Sequence, residues 1–430
     1  MTTTAPMPTS PPTPDVRPDK RPALQSLDEA LARLLGAVTP LGEVESVSTF
    51  DALGRVLAQD VISTIDAPPA DNTSMDGYAM RAADVPAAGT VLPVAQRVPA
   101  GVVGAVLQPG TVARIFTGAQ IPLGADAVVM QELCEGIPGE GLGSVRVNEV
   151  PQAGQWIRRR GEDVEQGAVV LHAGHRLDPA ALGLAATVGA ATLQVARRPR
   201  VALFSTGDEL AMPGEVLKPG AIYNSNRFTL RGLLQALGCE ITDLGIVPDR
   251  LDATRAALRE AAAGNDLIIT SGGVSVGEED HLRPAVQTEG RLDLWQIAIK
   301  PGKPLAFGEV RRTEGSGSAW FIGLPGNPVS SFVTFLLLVR PVILRLQGAT
   351  ELAPQGLTLR ADFDWPKPDR RREFLRVRLN AQGGLDLFPN QSSGVLTSAV
   401  WADGLLDLPA GQPIAAGDAV RFLSMAGLTT

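Results

Sequence analysis

Two glycine-rich loops carry the residue types needed to hold an anion. SGGVSVGEED follows the apolar run 267–270, and GLPGNPVS follows 320–322. Glycines at a strand end let backbone N–H groups approach phosphate oxygens, and the following helix adds its positive end. In the first loop Gly272, Gly273, Ser275 and Gly277 form such a cradle, with Ser271 and Ser275 as hydroxyl donors. Glu278, Glu279 and Asp280 come next. Carboxylates there repel a phosphate unless a hard cation stands between, and Mg2+ is commonly held by one or two carboxylates plus phosphate oxygens. Asp280 is the leading metal ligand, and Glu278 and Glu279 are read as complements to a helix N-terminus. In the second loop Gly323 and Gly326 flank Pro325, Asn327 and Pro328 start a helix, and Ser330 is brought to the ligand. A third loop, Ser205-Thr206-Gly207-Asp208-Glu209, has the same character, and all three are expected at one sheet edge. Lys300-Pro301-Gly302-Lys303-Pro304 holds two lysines on a stiffened backbone, an anion clamp suited to an acidic protein that needs local positive charge.

Other constellations are weaker. Gly273-Val274-Ser275-Val276-Gly277 fits the nucleophile elbow of serine hydrolases, but only His281 follows Ser275, too close for the usual order of that triad. Arg158-Arg159-Arg160 reads as a solvated basic run, because Glu162 and Asp163 follow it. His172 and His175 lack the regular spacing of a metal pair. Asp71, Asn72, Ser74 and Asp76 read as turn chemistry.

The elements that must position these residues are legible in outline. The 430 residues allow about three domains. A net charge of -8 argues against nucleic acid or an acidic membrane as partner. Cys134 and Cys239, without a CxxC pattern, fit a reducing, cytoplasmic setting. The proline-rich residues 1–25 read as a disordered tail without a signal-peptide core, and the apolar run 332–339 is short for a membrane span. A capping box at Ser26 to Glu29 opens a helix, and a second helix is expected over 52–58. Short strands broken by Gly and Pro over 66–163 indicate a small β domain inserted between 26–65 and 164–198, which form an elongated helical and strand domain with a helix over 179–188. Residues 199–347 alternate strand and helix, the pattern of a doubly wound α/β domain. It has strands over 201–204, 240–246, 267–270, 294–299 and 320–322, and helices over 227–237, 252–263 and 329–346. Residues 348–430 read as a C-terminal β domain with strands over 373–379, 385–388, 398–400 and 419–422.

In order along the chain, PPADNTSMDGYAMR, RIFTGAQIP, QWIRRRGEDV, ALFSTGDEL, SGGVSVGEED, IKPGKPLAFG and GLPGNPVSS resemble the molybdopterin molybdenumtransferase family, MoeA in bacteria and the E domain of gephyrin in animals. The resemblance runs from Ser26 to the C-terminus. It implies a four-domain homodimer whose α/β domain binds molybdopterin, and which inserts molybdate, as co-substrate, into adenylylated molybdopterin with Mg2+, releasing AMP. It assigns Asp280, Asp249 and Glu209 to Mg2+ and nucleotide, and Lys300, Lys303, Pro304, Gly326, Asn327, Ser330, Arg376 and Ser393 to molybdate and pterin phosphate. Asp76, Thr117 and Asp163 match family residues that, in relatives, approach the active site from the other subunit. The dithiolene sulfurs of the substrate are the nucleophiles, which fits the absence of a catalytic histidine. Gln296 departs from relatives that carry a lysine there. The upstream adenylyltransferase and downstream molybdoenzymes are the implied partners. A non-catalytic molybdopterin-binding scaffold and a molybdopterin adenylyltransferase are the alternatives.

Overall fold

The computed structural model describes residues 24–273, 281–313 and 317–429. The chain divides into two compact units, one from Met1–Val38, Pro199–Ile343 and Ala353–Thr430, the other from Thr39–Arg198 and Leu344–Leu352. Most of the expected N-terminal tail, residues 1–23, lies outside the described residues.

The first unit is built on a six-stranded sheet in the order Glu240–Val247, Arg200–Thr206, Leu267–Ser271, Ser318–Leu324, Pro304–Arg311, Gly290–Gln296. The first four strands are parallel, and the last two extend the sheet antiparallel. Arg200–Thr206 and Leu267–Ser271 are buried almost throughout because helices cover both faces. Ala202, Phe204, Ile268 and Phe321 share a core with Leu258, Ala261, Leu282 and Val286 of helices Leu251–Ala262 and Leu282–Glu289. Helix Ser225–Ala236 and the helix beginning at Pro328 pack against each other and against the strands. The latter runs to Leu346, with a π-helical stretch at Phe335–Val339. By length and composition this 19-residue helix is apolar enough to span a membrane, but 94% of its most apolar window is buried in the core.

Helix Leu27–Ala37 has the expected capping box, Glu29 N to Ser26 Oγ at 3.2 Å and Ser26 N to Glu29 Oε2 at 2.9 Å. It belongs with the α/β unit, whereas the sequence reading grouped it with residues 39–65. Gln25 N donates to Gln296 O, and the Arg33 guanidinium lies 4.4 Å from the Trp295 ring centre.

The C-terminal strands close on themselves. Arg372–Leu379 pairs with both Gly384–Leu387 and Gly404–Leu408, while Gly356–Ala361 and Ala419–Ser424 complete the ring. A short strand, Ile299–Lys300, adds to Arg372–Leu379 in parallel, so the segment expected as one strand over 294–299 is divided between two sheets. The strand expected over 398–400 is instead helix Thr397–Trp401. Ser398 Oγ turns back to donate to Val395 O at 2.7 Å, a local bond that competes with strand pairing.

In the second unit a sheet runs Ala127–Met130, Gly77–Met80, Val112–Ile115, Thr90–Val98, Ser144–Val147, Cys134–Ile137. A separate core gathers Leu57, Leu171, Leu177, Ala185 and Val195 around helix Pro179–Thr187. No helix forms over 52–58. After a 3-10 turn at Thr49–Asp51, Gly54 takes a positive φ of 74°, and Val56 and Leu57 bridge to Arg176 and Val195.

Trp156 is the one non-glycine residue with positive φ, 56°, among the described residues, and it is 38% exposed. Its carbonyl accepts from Ser74 N at 3.0 Å, a bond any residue there retains. Asparagine tolerates this conformation far better than an aromatic residue. Trp156→Asn is expected to stabilise the protein by about 1 kcal/mol, read as a higher urea midpoint with unchanged slope; a midpoint equal to or below the parent's would refute the strain.

Candidate active site

The chain leaves strand Arg200–Thr206 toward one neighbour, Glu240–Val247, then returns to the opposite neighbour, Leu267–Ser271. A ligand crevice belongs where strand order reverses, beyond the carboxyl ends. There Ser205 Oγ and Ser271 Oγ stand 3.3 Å apart, both residues buried. Just past them opens a cleft of about 650 Å³, lined by Thr206, Gly207, Glu209, Asp249, Ser271, Gly272, Gly273, Pro304, Gly326, Asn327 and Ser330. The three loops therefore meet at one sheet edge, as expected from the sequence.

Their roles differ from that reading in detail. Gly272 has φ 92°, and a Cβ there would lie 2.9 Å from Thr206 O, so glycine is required for the two loops to touch. Its N–H is already committed to Leu324 O at 3.1 Å. Gly273 has φ 65° and lines the cleft beside it. Ser275, Gly277 and Asp280, with Glu278 and Glu279, lie outside the described residues. Asn327 is the N-cap of the helix that starts at Pro328, but its side chain makes no capping bond.

The lysine clamp is also altered. Lys300 Nζ lies 3.0 Å from Glu373 Oε1 and 3.6 Å from Asp369 Oδ2, and the Glu373 side chain is 1% exposed. The other Glu373 oxygen accepts from Trp365 Nε1 at 3.0 Å and Asp369 N at 2.8 Å. Hydrogen bonds from Arg371, helped by Lys300, hold the Asp369 carboxyl far below the usual range against the opposing effect of burial. Lys300 is thus already matched by two carboxylates and serves to pin the loop. Gly302, φ 109°, packs where a Cβ would overlap Thr334 Oγ1. Lys303 is exposed and has no acidic partner among the described residues, which leaves it as the available cation of the pair.

Arg376 is 1% exposed and does not line the cleft. It donates to Ser398 Oγ, Phe374 O and Ser392 O, and burial pushes its guanidinium down to about 10. It organises the segment 391–398. Ser393 O in that segment accepts from Val329 N at 2.9 Å, and Gly394 lines the cleft.

Glu209 and Asp249 supply carboxylates to the cleft. Asp249 N donates to Asp208 Oδ1 at 3.1 Å, tying two of the acidic loops together. Among the described residues no group of three or more potential ligands could hold a metal. Two carboxylates nevertheless fit Mg2+, which takes its remaining ligands from water and phosphate.

Asp76, Thr117 and Asp163 belong to the second unit. Asp76 Oδ1 accepts from Thr117 N at 2.7 Å and Thr117 Oγ1 at 2.8 Å. Asp163 lines a separate hollow with Asp66, Asn72 and Arg158. The basic run there is only partly free, because Arg159 pairs with Asp71 at 2.8 Å and Arg160 with Asp66.

Sequence reasoning missed Asn224 and Asn226. Both line the cleft, and Asn226 Nδ2 donates to Gly326 O at 2.8 Å. The signal was Asn224-Ser225-Asn226 just ahead of an amphipathic run, a helix start on the carboxyl side of the first strand.

Family models match along the chain: "MoeA N-terminal region (domain I and II)" over residues 25–189, "Probable molybdopterin binding domain" over 202–345 and "MoeA C-terminal region (domain IV)" over 358–425. A protein named molybdopterin molybdenumtransferase from Haemophilus influenzae is 42% identical over 366 residues, covering 84% of this chain and 88% of that one. One of the same name from Nostoc sp. is 34% identical over 416 residues, 94% of each chain. The solved molybdopterin biosynthesis MoeA protein of Pyrococcus horikoshii OT3 superposes with a TM-score of 0.78 at 29% identity, covering 94% of this chain and 100% of that one.

Two outcomes test these arrangements. Glu373→Ala takes the acceptor from Trp365 Nε1 and the Asp369 amide and leaves Lys300 with Asp369 alone, and is expected to cost about 2 kcal/mol in urea denaturation; a loss below about 1 kcal/mol would mean the pair behaves as an exposed one. Backbone and hydroxyl donors of Thr117, in that order, lower the Asp76 carboxyl, against slight desolvation. Its stabilisation is therefore full above the unfolded carboxylate value, about 3.9, and fades as pH falls through the lower folded value. Thr117→Val should move the Asp76 titration, followed by carboxyl NMR, upward; an unmoved titration would discount the hydroxyl.

Proposed function

The chain belongs to the MoeA family, and from that premise we propose that it is a molybdopterin molybdenumtransferase, acting in molybdenum cofactor biosynthesis by inserting molybdate into adenylylated molybdopterin and releasing AMP. The observation that carries this reading is the single cleft at the strand reversal, where the glycine loops, Pro304 and the carboxylates of Glu209 and Asp249 converge. Relatives of the same name align over most of the chain, which supports the same assignment.

The residues suit the chemistry. Molybdate is a tetrahedral dianion, and Lys303, exposed and next in sequence to the cleft-lining Pro304, is the cation available to attract it. Gly273 and the loop that follows it, with Ser330, take the pyrophosphate. Glu209 and Asp249, with Asp280 from outside the described residues, would hold Mg2+. When bound, that ion supplies neutralising charge for the pyrophosphate as the adenylate is hydrolysed. No protein nucleophile is required: the dithiolene sulfurs would bond to molybdenum as molybdate oxygen leaves as water, and a water molecule would cleave the pyrophosphate to release AMP. Dimerisation, with Asp76, Thr117 and Asp163 serving a second copy, and a cytoplasmic setting are parts of the same proposal. An adenylyltransferase would supply the substrate, and molybdoenzymes would receive the product.

Purified protein incubated with adenylylated molybdopterin, molybdate and Mg2+ should release AMP. Binding without AMP release would identify a carrier or scaffold, and adenylate formed from ATP and molybdopterin would identify an adenylyltransferase. Asp249→Asn is expected to slow AMP release about a hundredfold at limiting Mg2+, with partial recovery as Mg2+ is raised; an Mg2+ dependence matching the parent's would remove Asp249 from the metal site.

A further inference from the structure

The cleft has a fourth wall that the glycine loops and lysines do not explain. Helix Ser225–Ala236, twelve residues long, begins there, capped by Asn224, whose Oδ1 accepts from Arg227 N at 3.1 Å. The other end of that amide is unused. Asn224 is 2% exposed, lines the cleft, and its Nδ2 has no hydrogen-bond partner. A buried amide donor left unsatisfied is unfavourable unless something enters to accept from it.

The helix adds donors beside it. The N–H groups of Ser225 and Asn226 stand in the first turn, where no intrahelical acceptor exists, and they make no backbone bond among the described residues. The positive end of the helix reinforces them. Asn226 Nδ2 meanwhile ties this helix start to Gly326 O, which holds it against the second glycine loop. Three N–H donors around one helix N-terminus match a tetrahedral oxyanion.

We propose that the N-terminus of helix Ser225–Ala236 is an oxyanion subsite of the cleft, with Asn224 Nδ2 and the backbone N–H groups of Ser225 and Asn226 as its donors. The inference rests on the functional reading above and assigns a binding residue that the loop motifs leave out. Its ligand is either a phosphate of the nucleotide-bearing substrate or molybdate. Both are tetrahedral oxyanions, and molybdate is the larger, so a closely fitted subsite separates them.

The test is calorimetric titration of the full chain with inorganic phosphate, AMP and molybdate, for the parent, Asn224→Asp and Asn224→Ser. Both substitutions keep an oxygen to cap Arg227 N, so helix stability and the thermal midpoint should stay close to the parent's. Asn224→Asp replaces the donor by a repelling oxygen, and Asn224→Ser removes the amide N–H, leaving only a shorter hydroxyl, without adding charge. If the subsite holds a phosphate, Asn224→Asp weakens phosphate and AMP by at least about tenfold and spares molybdate; if it holds molybdate, only that titration moves. Asn224→Ser should give a smaller loss in the same direction, and it alone decides the matter if the aspartate variant does not fold. Parental affinity for all three anions in the folded variants overturns the proposal. AMP release by the parent is measured in parallel: its absence would refute the transferase reading and leave the binding comparison standing.

Discussion

The reversal of strand order beside Arg200–Thr206 is the constraint on which the rest of the α/β unit depends. The chain leaves Arg200–Thr206 toward Glu240–Val247 on one side and leaves Leu267–Ser271 toward the strands on the other, so neither connection covers the gap between their carboxyl ends. The gap cannot be filled by connecting chain, and only small residues allow its walls to meet. Gly272 against Thr206 O is the clearest case. Once that contact exists, the loops after three adjacent parallel strands necessarily share one cleft.

A second constraint fixes what stands at the edge of that cleft. Glu373 is buried inside the C-terminal barrel, yet its partners include Lys300, from a strand that the α/β region lends to that barrel. A buried carboxylate requires a cation and hydrogen-bond donors, and Lys300, Trp365 and the Asp369 amide supply them. The turn between Lys300 and Pro304 is thereby anchored at both ends, by the barrel at Ile299–Lys300 and by the central sheet at Pro304–Arg311. Of two lysines three residues apart, one stabilises the loop and the other is left for a ligand. Spacing alone made them look equivalent.

Much of the α/β unit was legible because its signals are local and redundant. Strand Leu267–Ser271 and helix Leu251–Ala262 came within a residue of expectation, since apolar runs and 3.6-residue periodicity coincide with glycine at the helix end. The site loops were legible for the same reason. What the sequence concealed was pairing across long separations. Nothing near Ile299 announces that two residues join another sheet, nothing near Arg376 shows that it is buried, and nothing in residues 26–38 tells which unit their helix packs against. The errors at 52–58 and 398–400 have a different origin. Both are short segments in which a positive-φ glycine or a serine bonding to its own backbone outweighs side-chain propensity.

Charge placement links these observations to chemistry. The chain is acidic overall, and of the two lysines in the turn that leads to cleft-lining Pro304, Lys300 is already matched by Glu373 and Asp369. Side-chain cations alone therefore supply little of the attraction an oxyanion needs. Backbone N–H groups and helix ends can supply the rest, because their partial charges are fixed in place and need no counter-ion to fold. Such donors remain compatible with the neighbouring carboxylates of Glu209 and Asp249, whereas a cluster of lysines would pair with those carboxylates and close the site. A cleft that keeps carboxylates in its walls is thus better served, for an oxyanion, by glycine loops and helix N-termini than by a basic patch, and the cleft walls here are built in that way.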